Sequence, residues 1–275
     1  MRLATVGYNG RTHAARVEDD HFALLAPADV GELLSSPGGW QEAQSAAPTS
    51  TVDREAVVIR TLVPRPAKVL CIGLNYVKHI QEVGADQPEY PTVFAKYARA
   101  LIGDGEPIMM PSISTRVDWE VELVIVIGQA VRNADADQAA AAIAGFTVGN
   151  DISARDLQGR TSQWLQGKTC ESATPVGPWM TTADETGVAP DLAISCAVDG
   201  VVRQNSRTSD LLFKPVDLVV YLSQILTLDP GDLIFTGTPG GVGQGLVPPV
   251  FLEAGQTVTS SIERIGILTN RCAVS

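Results

Sequence analysis

The chain has 275 residues, 45% hydrophobic and 19% charged, with a formal net charge of −11. This is ordinary globular material, long enough for one large domain or a large and a small one, and its acidity argues against nucleic acid or an anionic membrane as partner. No apolar run reaches the length of a membrane span and the start, Met1 to Tyr8, does not read as a secretory signal, so a cytosolic protein is expected. Cys71, Cys170, Cys196 and Cys272 are far apart, which speaks against a zinc site and for reduced, mostly buried thiols.

Residues 1–62 read as a small β-rich unit. Short runs at 3–8, 13–17 and 22–25 are separated by turn residues, 30–34 suits a short helix, and 43–53 reads as a loop or frayed helix. Pro64 and Pro66 mark a boundary, and the main unit is placed at 66–275. There, 69–72 is a short apolar strand, 76–83 a helix, 84–91 a loop and 92–96 a strand. A long strand at 117–127 precedes an Ala-rich helix at 133–144, capped by Asn133 or Asp135 and stopped by Gly145. A strand at 146–153 carries Asp151 near its end. A hairpin turns at Asp199-Gly200, Pro215 opens a helix to about 226, and 233–236 is a strand delivering the Gly-rich loop 237–245. Strands at 258–262 and 266–269 close the chain. Strands dominate and do not alternate strictly with helices, so a mixed β architecture is predicted rather than a doubly wound fold.

The stretch 117–127 carries the strongest chemical signal. Its odd positions, Val117 to Ile127, are all apolar, whereas the even face begins Asp118, Glu120, Glu122 and turns apolar at Val124 and Val126. Two carboxylates two residues apart on a strand lie about 7 Å from each other and repel by roughly 2.4 kcal/mol at an effective dielectric near 20. A largely buried strand then needs a compensating cation or proton, for which a hard divalent metal is the simplest candidate; alternatively, the strand end emerges into water. His79 and Glu82 share one face of the predicted helix, a spacing that suits a general base with its orienting carboxylate and equally a surface pair. The loop 237–245 lacks the Walker lysine and the dinucleotide fingerprint.

Four segments occur in order: Ile72-Gly73-Leu74-Asn75-Tyr76 through His79 to Glu82, Glu120-x-Glu122, Gly149-Asn150-Asp151 through Asp156 with Gln163 to Lys168, and Phe235-Thr236-Gly237-Thr238-Pro239. Together they resemble the fumarylacetoacetate hydrolase superfamily over roughly residues 66–275, and residues 1–62 resemble the small accessory domain of bacterial members. The resemblance implies an α+β, mainly β fold: a mixed β-sandwich roll with a small N-terminal β-rich domain. It also implies one Mg²⁺ or Mn²⁺ per subunit on Glu120, Glu122 and Asp151, with His79 and Glu82 as catalytic dyad on a lid and Lys168 stabilising enolate charge. Lys96, Gln158, Gly237 and Thr238 match substrate-side positions, Lys96 with a structural role as the alternative. Arg155 and Asp156 are expected to form a structural ion pair. Where many members carry Ser or Thr the chain has Arg99, which would read a distal carboxylate of a dicarboxylic substrate or simply lie at the surface.

The reading that results is a metal-dependent hydrolase cleaving a C–C bond in acylpyruvate-like β-diketo acids. On the same site, an oxaloacetate-type decarboxylase or an isomerase or hydratase of 2-hydroxy-dienoic acids remains open, and a non-catalytic binder is a further alternative. The expected partner is a small keto or diketo acid, and the resemblance implies a homodimer.

Overall fold

The computed structural model describes residues 1–82, 84 and 86–274; of Glu82 only its place in a helix is described, not its side chain. Among the described residues two sheets carry the molecule. The larger has twelve strands. From one edge its main path runs Ser50–Asp53, His21–Leu24, Arg11–Val17, Arg2–Tyr8, Thr174–Thr182, Ile143–Asn150, Val121–Ile127, Leu233–Phe235, Val69–Gly73 and Thr92–Lys96. All neighbours on this path are antiparallel except Leu233–Phe235 beside Val69–Gly73. The second sheet orders Val201–Arg207, Ala193–Val198, Thr257–Ile262, Gly266–Val274 and Ile108–Met110. The strands of the first 59 residues therefore extend the sheet of the main unit, through Arg2↔Thr181 and Leu3↔Met180.

The strand Val121–Ile127 lies deep in the larger sheet, and both of its faces are covered. Its odd residues, Leu123, Ile125 and Ile127, join the core shared with Ile194, Val258 and Leu268 of the second sheet. Val124 and Val126 join a separate core with Leu3, Val30 and Leu33 from the N-terminal unit. The period-two pattern thus divides the side chains between two cores. The predicted 117–127 strand is interrupted, however. Val117–Asp118 pairs with Ser153–Ala154, and regular sheet resumes only at Val121. The break at Trp119 and Glu120 arises because their amides bond side chains: Trp119 N–H donates to Asp118 Oδ1 and Glu120 N–H to Asn150 Oδ1.

Most remaining elements fall where the pattern put them. The Ala-rich helix is Ala136–Ala142, with Asp135 as N-cap in a full capping box; it ends before Gly145, expected as its stop, which instead lies inside the strand Ile143–Asn150. Pro215 opens Pro215–Ile225. The helix expected at 76–83 is Val77–Glu82, and Val83 lies outside the described residues. The 43–53 segment is not simply loop: Gly39–Ala43 is a short helix and Ser50–Asp53 an edge strand. Among the described residues no helix is long and apolar enough to cross a membrane.

Candidate active site

Antiparallel pairing of Val121–Ile127 with Ile143–Asn150 sets Val121 opposite Asn150 and Glu122 opposite Gly149. Asp151, the next residue, donates its amide to Glu120 O at 2.8 Å. Register thus brings Asp151 to the E-x-E pair. Glu120, Glu122 and Asp151 are all buried, and one oxygen from each lies within 4.8 Å of the others.

Three cations surround them, Lys96 and Lys168 buried and Arg155 nearly so. Lys168 Nζ sits 2.5 Å from Glu120 Oε2 and 2.7 Å from Asp151 Oδ2. Arg155 holds Glu120 Oε1 through Nη2 at 2.6 Å and Asp118 Oδ2 through Nε at 2.8 Å. Lys96 Nζ lies 2.8 Å from Asp151 Oδ1, but its directed hydrogen bonds go to Ile152 O and Thr174 Oγ1. Asp151 Oδ1 is left without a directed donor. Among the described residues Glu122 has no cationic partner; its Oε2 accepts from Gly237 N–H at 2.6 Å.

This uneven distribution separates the two glutamates. Burial alone would raise the Glu120 pKa, but Arg155 and Lys168 overcome it and hold that carboxyl at about 2. Glu122 is pushed well above the usual carboxylate range by burial, reinforced by the charges of Asp151 and Glu120. Burial would lower Lys168, yet Asp151 and Glu120 keep its ammonium firmly charged. With Glu122 ionised, four carboxylates (Asp118, Glu120, Glu122, Asp151) face three cations (Lys96, Arg155, Lys168), which sets the cluster at −1. An all-oxygen donor set, an undirected oxygen on Asp151 and a cation-poor Glu122 fit a hard divalent ion. Such an ion would turn the cluster to +1, a charge complementary to an anionic substrate.

A cavity of about 310 Å³ opens over these groups. Ile72, Leu74, Phe94, Trp164 and Val242 give it an apolar wall, and His79, Gln158, Thr238 and Gln244 are polar groups on its lining. The root of the helix bearing His79 is pinned by Asn75, whose Nδ2 donates to Thr236 O at 2.7 Å and Phe213 O at 3.0 Å, while its Oδ1 accepts from Phe213 N–H. The Lys78 amide donates to Asp210 Oδ2 at 3.1 Å. The Glu82 side chain, expected beside His79, lies outside the described residues.

Several sequence expectations change in detail. Arg99 is not brought to the cavity: its side chain is 85% exposed and pairs with Glu171. Lys96 supports Asp151 from beneath and does not line the cavity. The Gly237 amide, expected on the substrate side, is spent on Glu122, and the Thr238 hydroxyl donates to Val121 O while accepting from Gln204 Nε2. Arg155 does not pair with Asp156, which instead accepts from Ser114 Oγ and the Thr115 amide. Asp118, the first acid of the strand's even face, is fully buried. It accepts from Gly243 N–H (2.7 Å) and Gln244 N–H (3.0 Å), so Asp118 and Arg155 together tie the Gly-rich loop to Glu120. Gln204, which bonds the Val121 amide and the 238–239 turn, carries no local signal at all.

Comparison with known proteins agrees with this arrangement. The family described as "Fumarylacetoacetate (FAA) hydrolase C-terminal" matches residues 68–273. The rat protein named oxaloacetate tautomerase Fahd2a, mitochondrial, is 43% identical over 227 residues, covering 82% of this chain and 72% of that protein. The structure of 5-carboxymethyl-2-hydroxymuconate delta-isomerase from Mycobacterium smegmatis superposes with a TM-score of 0.82 at 34% identity, covering 100% of this chain and 99% of the other. Fumarylpyruvate hydrolase from Pseudomonas aeruginosa, solved with Mn²⁺ and pyruvate, gives 0.70 at 34% identity over 76% of this chain and 91% of its own.

Proposed function

Given that the chain belongs to the fumarylacetoacetate hydrolase family, a family of enzymes, we propose that it interconverts the enol and keto forms of an oxaloacetate-like 2-oxo acid with the help of a divalent metal. The observation that carries this reading is the buried trio Glu120, Glu122 and Asp151 with Lys168 set between two of its members, under a cavity that His79 lines. A Mg²⁺ or Mn²⁺ ion held by the three carboxylates would act as Lewis acid towards a 2-oxo acid head.

The chain's own groups supply the rest. In ketonisation the substrate loses the proton on its C2 hydroxyl and gains one at C3, so negative charge passes through the C2 oxygen. Lys168, kept fully protonated by Glu120 and Asp151, presents a fixed ammonium to that charge without reorganising, the most effective way to stabilise it. Arg155 keeps Glu120 ionised and oriented. His79, an imidazole on the cavity lining, is the group assigned to take the C2 hydroxyl proton and to deliver one at C3, so the step is proton-neutral. Ile72, Phe94 and Val242 make that side of the cavity apolar, suited to the uncharged part of the substrate.

Hydrolytic C–C cleavage of an acylpyruvate is the second reading, favoured by the likeness to fumarylpyruvate hydrolase. It would use the same charge stabilisation, with His79 taking a proton from attacking water. Tautomerisation is placed first because the relatives named for it are the more similar. The test is the decay of freshly dissolved enol oxaloacetate, followed by ultraviolet absorbance with Mg²⁺ or Mn²⁺, for the wild type, Glu120→Ala and His79→Ala. Acylpyruvates are run in parallel and their products identified by NMR. Acceleration lost in both variants supports the proposal. Cleavage of acylpyruvates without enol turnover selects the second reading, and inertness towards both overturns the two together.

A further inference from the structure

Trp164 sits on a segment whose neighbours Gln163, Leu165 and Gln166 are exposed, yet its ring lines the cavity. Two contacts hold it there. It meets Phe94 edge-on with ring centres 5.4 Å apart, and Phe94 in turn has Lys168 Nζ 5.0 Å from its ring centre. The indole is thus one ring removed from the ammonium at the reacting end. Its six-membered edge also lies so close over Gly73 that a Cβ there would stand 2.5 Å from the ring. Gly73 is an ordinary extended strand residue, so its missing side chain makes room for the indole rather than serving a turn. A rigid aromatic, seated in a notch left by a glycine and facing the apolar side of a cavity with a charged floor, is placed to set how far a substrate can extend from that floor.

We propose that Trp164, seated on Gly73 and Phe94, is the specificity-determining wall of the cavity and limits the length of the chain a 2-oxo acid may carry beyond C3. This rests on reading the cavity as a 2-oxo acid site.

The experiment is calorimetric binding of straight-chain 2-oxo acids, from pyruvate to 2-oxooctanoate, to the Mg²⁺-loaded protein, independent of turnover. In the wild type, affinity relative to pyruvate is expected to rise over the first methylenes and then stop once the tail meets the indole. In Trp164→Ala the rise continues, by about fourfold for each further CH₂ buried. Gly73→Ala displaces the ring and moves the stopping length, and Trp164→Phe, which keeps an aromatic in place, falls between wild type and Trp164→Ala. A length profile that is the same in all four proteins, or variants that shift every acid by one common factor, overturns the inference alone. Failure of the wild type to bind any of these acids overturns both this and the reading it rests on. A shifted profile in a protein that does not turn over enol oxaloacetate would leave the wall intact and remove only the proposed reaction.

Discussion

Replacing Glu122 by Gln should stabilise the metal-free protein at alkaline pH. Glu122 lies within 4.8 Å of oxygens on both Glu120 and Asp151. At an effective dielectric near 20, each such pair costs about 3.5 kcal/mol. Lys168, bonded to both neighbours, offsets about one of the two, which leaves a penalty of about 3.5 kcal/mol. Gln removes the charge and keeps an acceptor for the Gly237 amide. At about 2 °C per kcal/mol for a chain of this size, the variant should melt up to about 7 °C above wild type in chelator at pH 8. The pH dependence has a definite sign. A carboxyl whose folded pKa is raised holds a proton that the unfolded chain releases, so wild-type stability declines as pH climbs above the ordinary Glu value, and the gap should close towards pH 5. Glu120 works in the opposite sense: its contribution is present above the ordinary Glu value and is lost as pH falls towards about 2. With saturating Mg²⁺ the order should invert, because the proposed metal site keeps a carboxylate in wild type that the variant lacks. The assay is thermal unfolding by circular dichroism at both pH values, with EDTA and with Mg²⁺. A variant that melts below wild type in EDTA at pH 8, or a gap that does not narrow at pH 5, would refute the electrostatic reasoning.

Lys96→Met takes away a fully buried partner of Asp151 and should destabilise the fold by about 3 kcal/mol, measured by urea denaturation, with Mg²⁺ recovering part of the loss. Gly237→Ala should lower kcat/KM about tenfold or more: at φ +99° the new Cβ would stand 2.9 Å from Asn75 Cβ, straining the turn that holds Glu122 and the root of the His79 helix. Arg99→Ala removes only an exposed pair with Glu171, worth less than about 1 kcal/mol. It should leave the preference between mono- and dicarboxylic substrates unchanged in competition assays.

Local pattern revealed the elements whose reasons are local. The alternation of 117–127, the capping residue Asp135 and the Asp199-Gly200 turn are written in adjacent residues, and the structure has all three. The nine-residue strand Thr174–Thr182 escaped because Pro175, Gly177 and Pro178 argue against a central strand. It nonetheless sits inside the sheet, paired with Ile143–Asn150 on one side and Arg2–Tyr8 on the other, with irregular register next to its prolines. The carboxylate trio was legible from the ordered motifs, and pairing register brings it together. The partners of Arg155 and the fate of Arg99 were not, since an arginine's counter-ion is chosen by whichever acid the fold delivers: Asp118 and Glu120 in one case, Glu171 in the other. Trp164 looked like any aromatic on a short segment, and only the empty side of Gly73 distinguishes it.

The charged cluster also constrains the order in which the molecule can assemble. Lys96, Glu120, Asp151 and Lys168 come from separate elements, and the Gly237 amide from a strand's exit much later in the chain. No one of these charges can be desolvated favourably before its counter-charges arrive, so intermediates that bury only some of them are penalised. Sheet formation across such distant segments is itself slow. On the proposed reading, recovery of Mg²⁺ binding during refolding should therefore trail the recovery of strand signal, leaving the charged cluster among the last parts of the protein to become native.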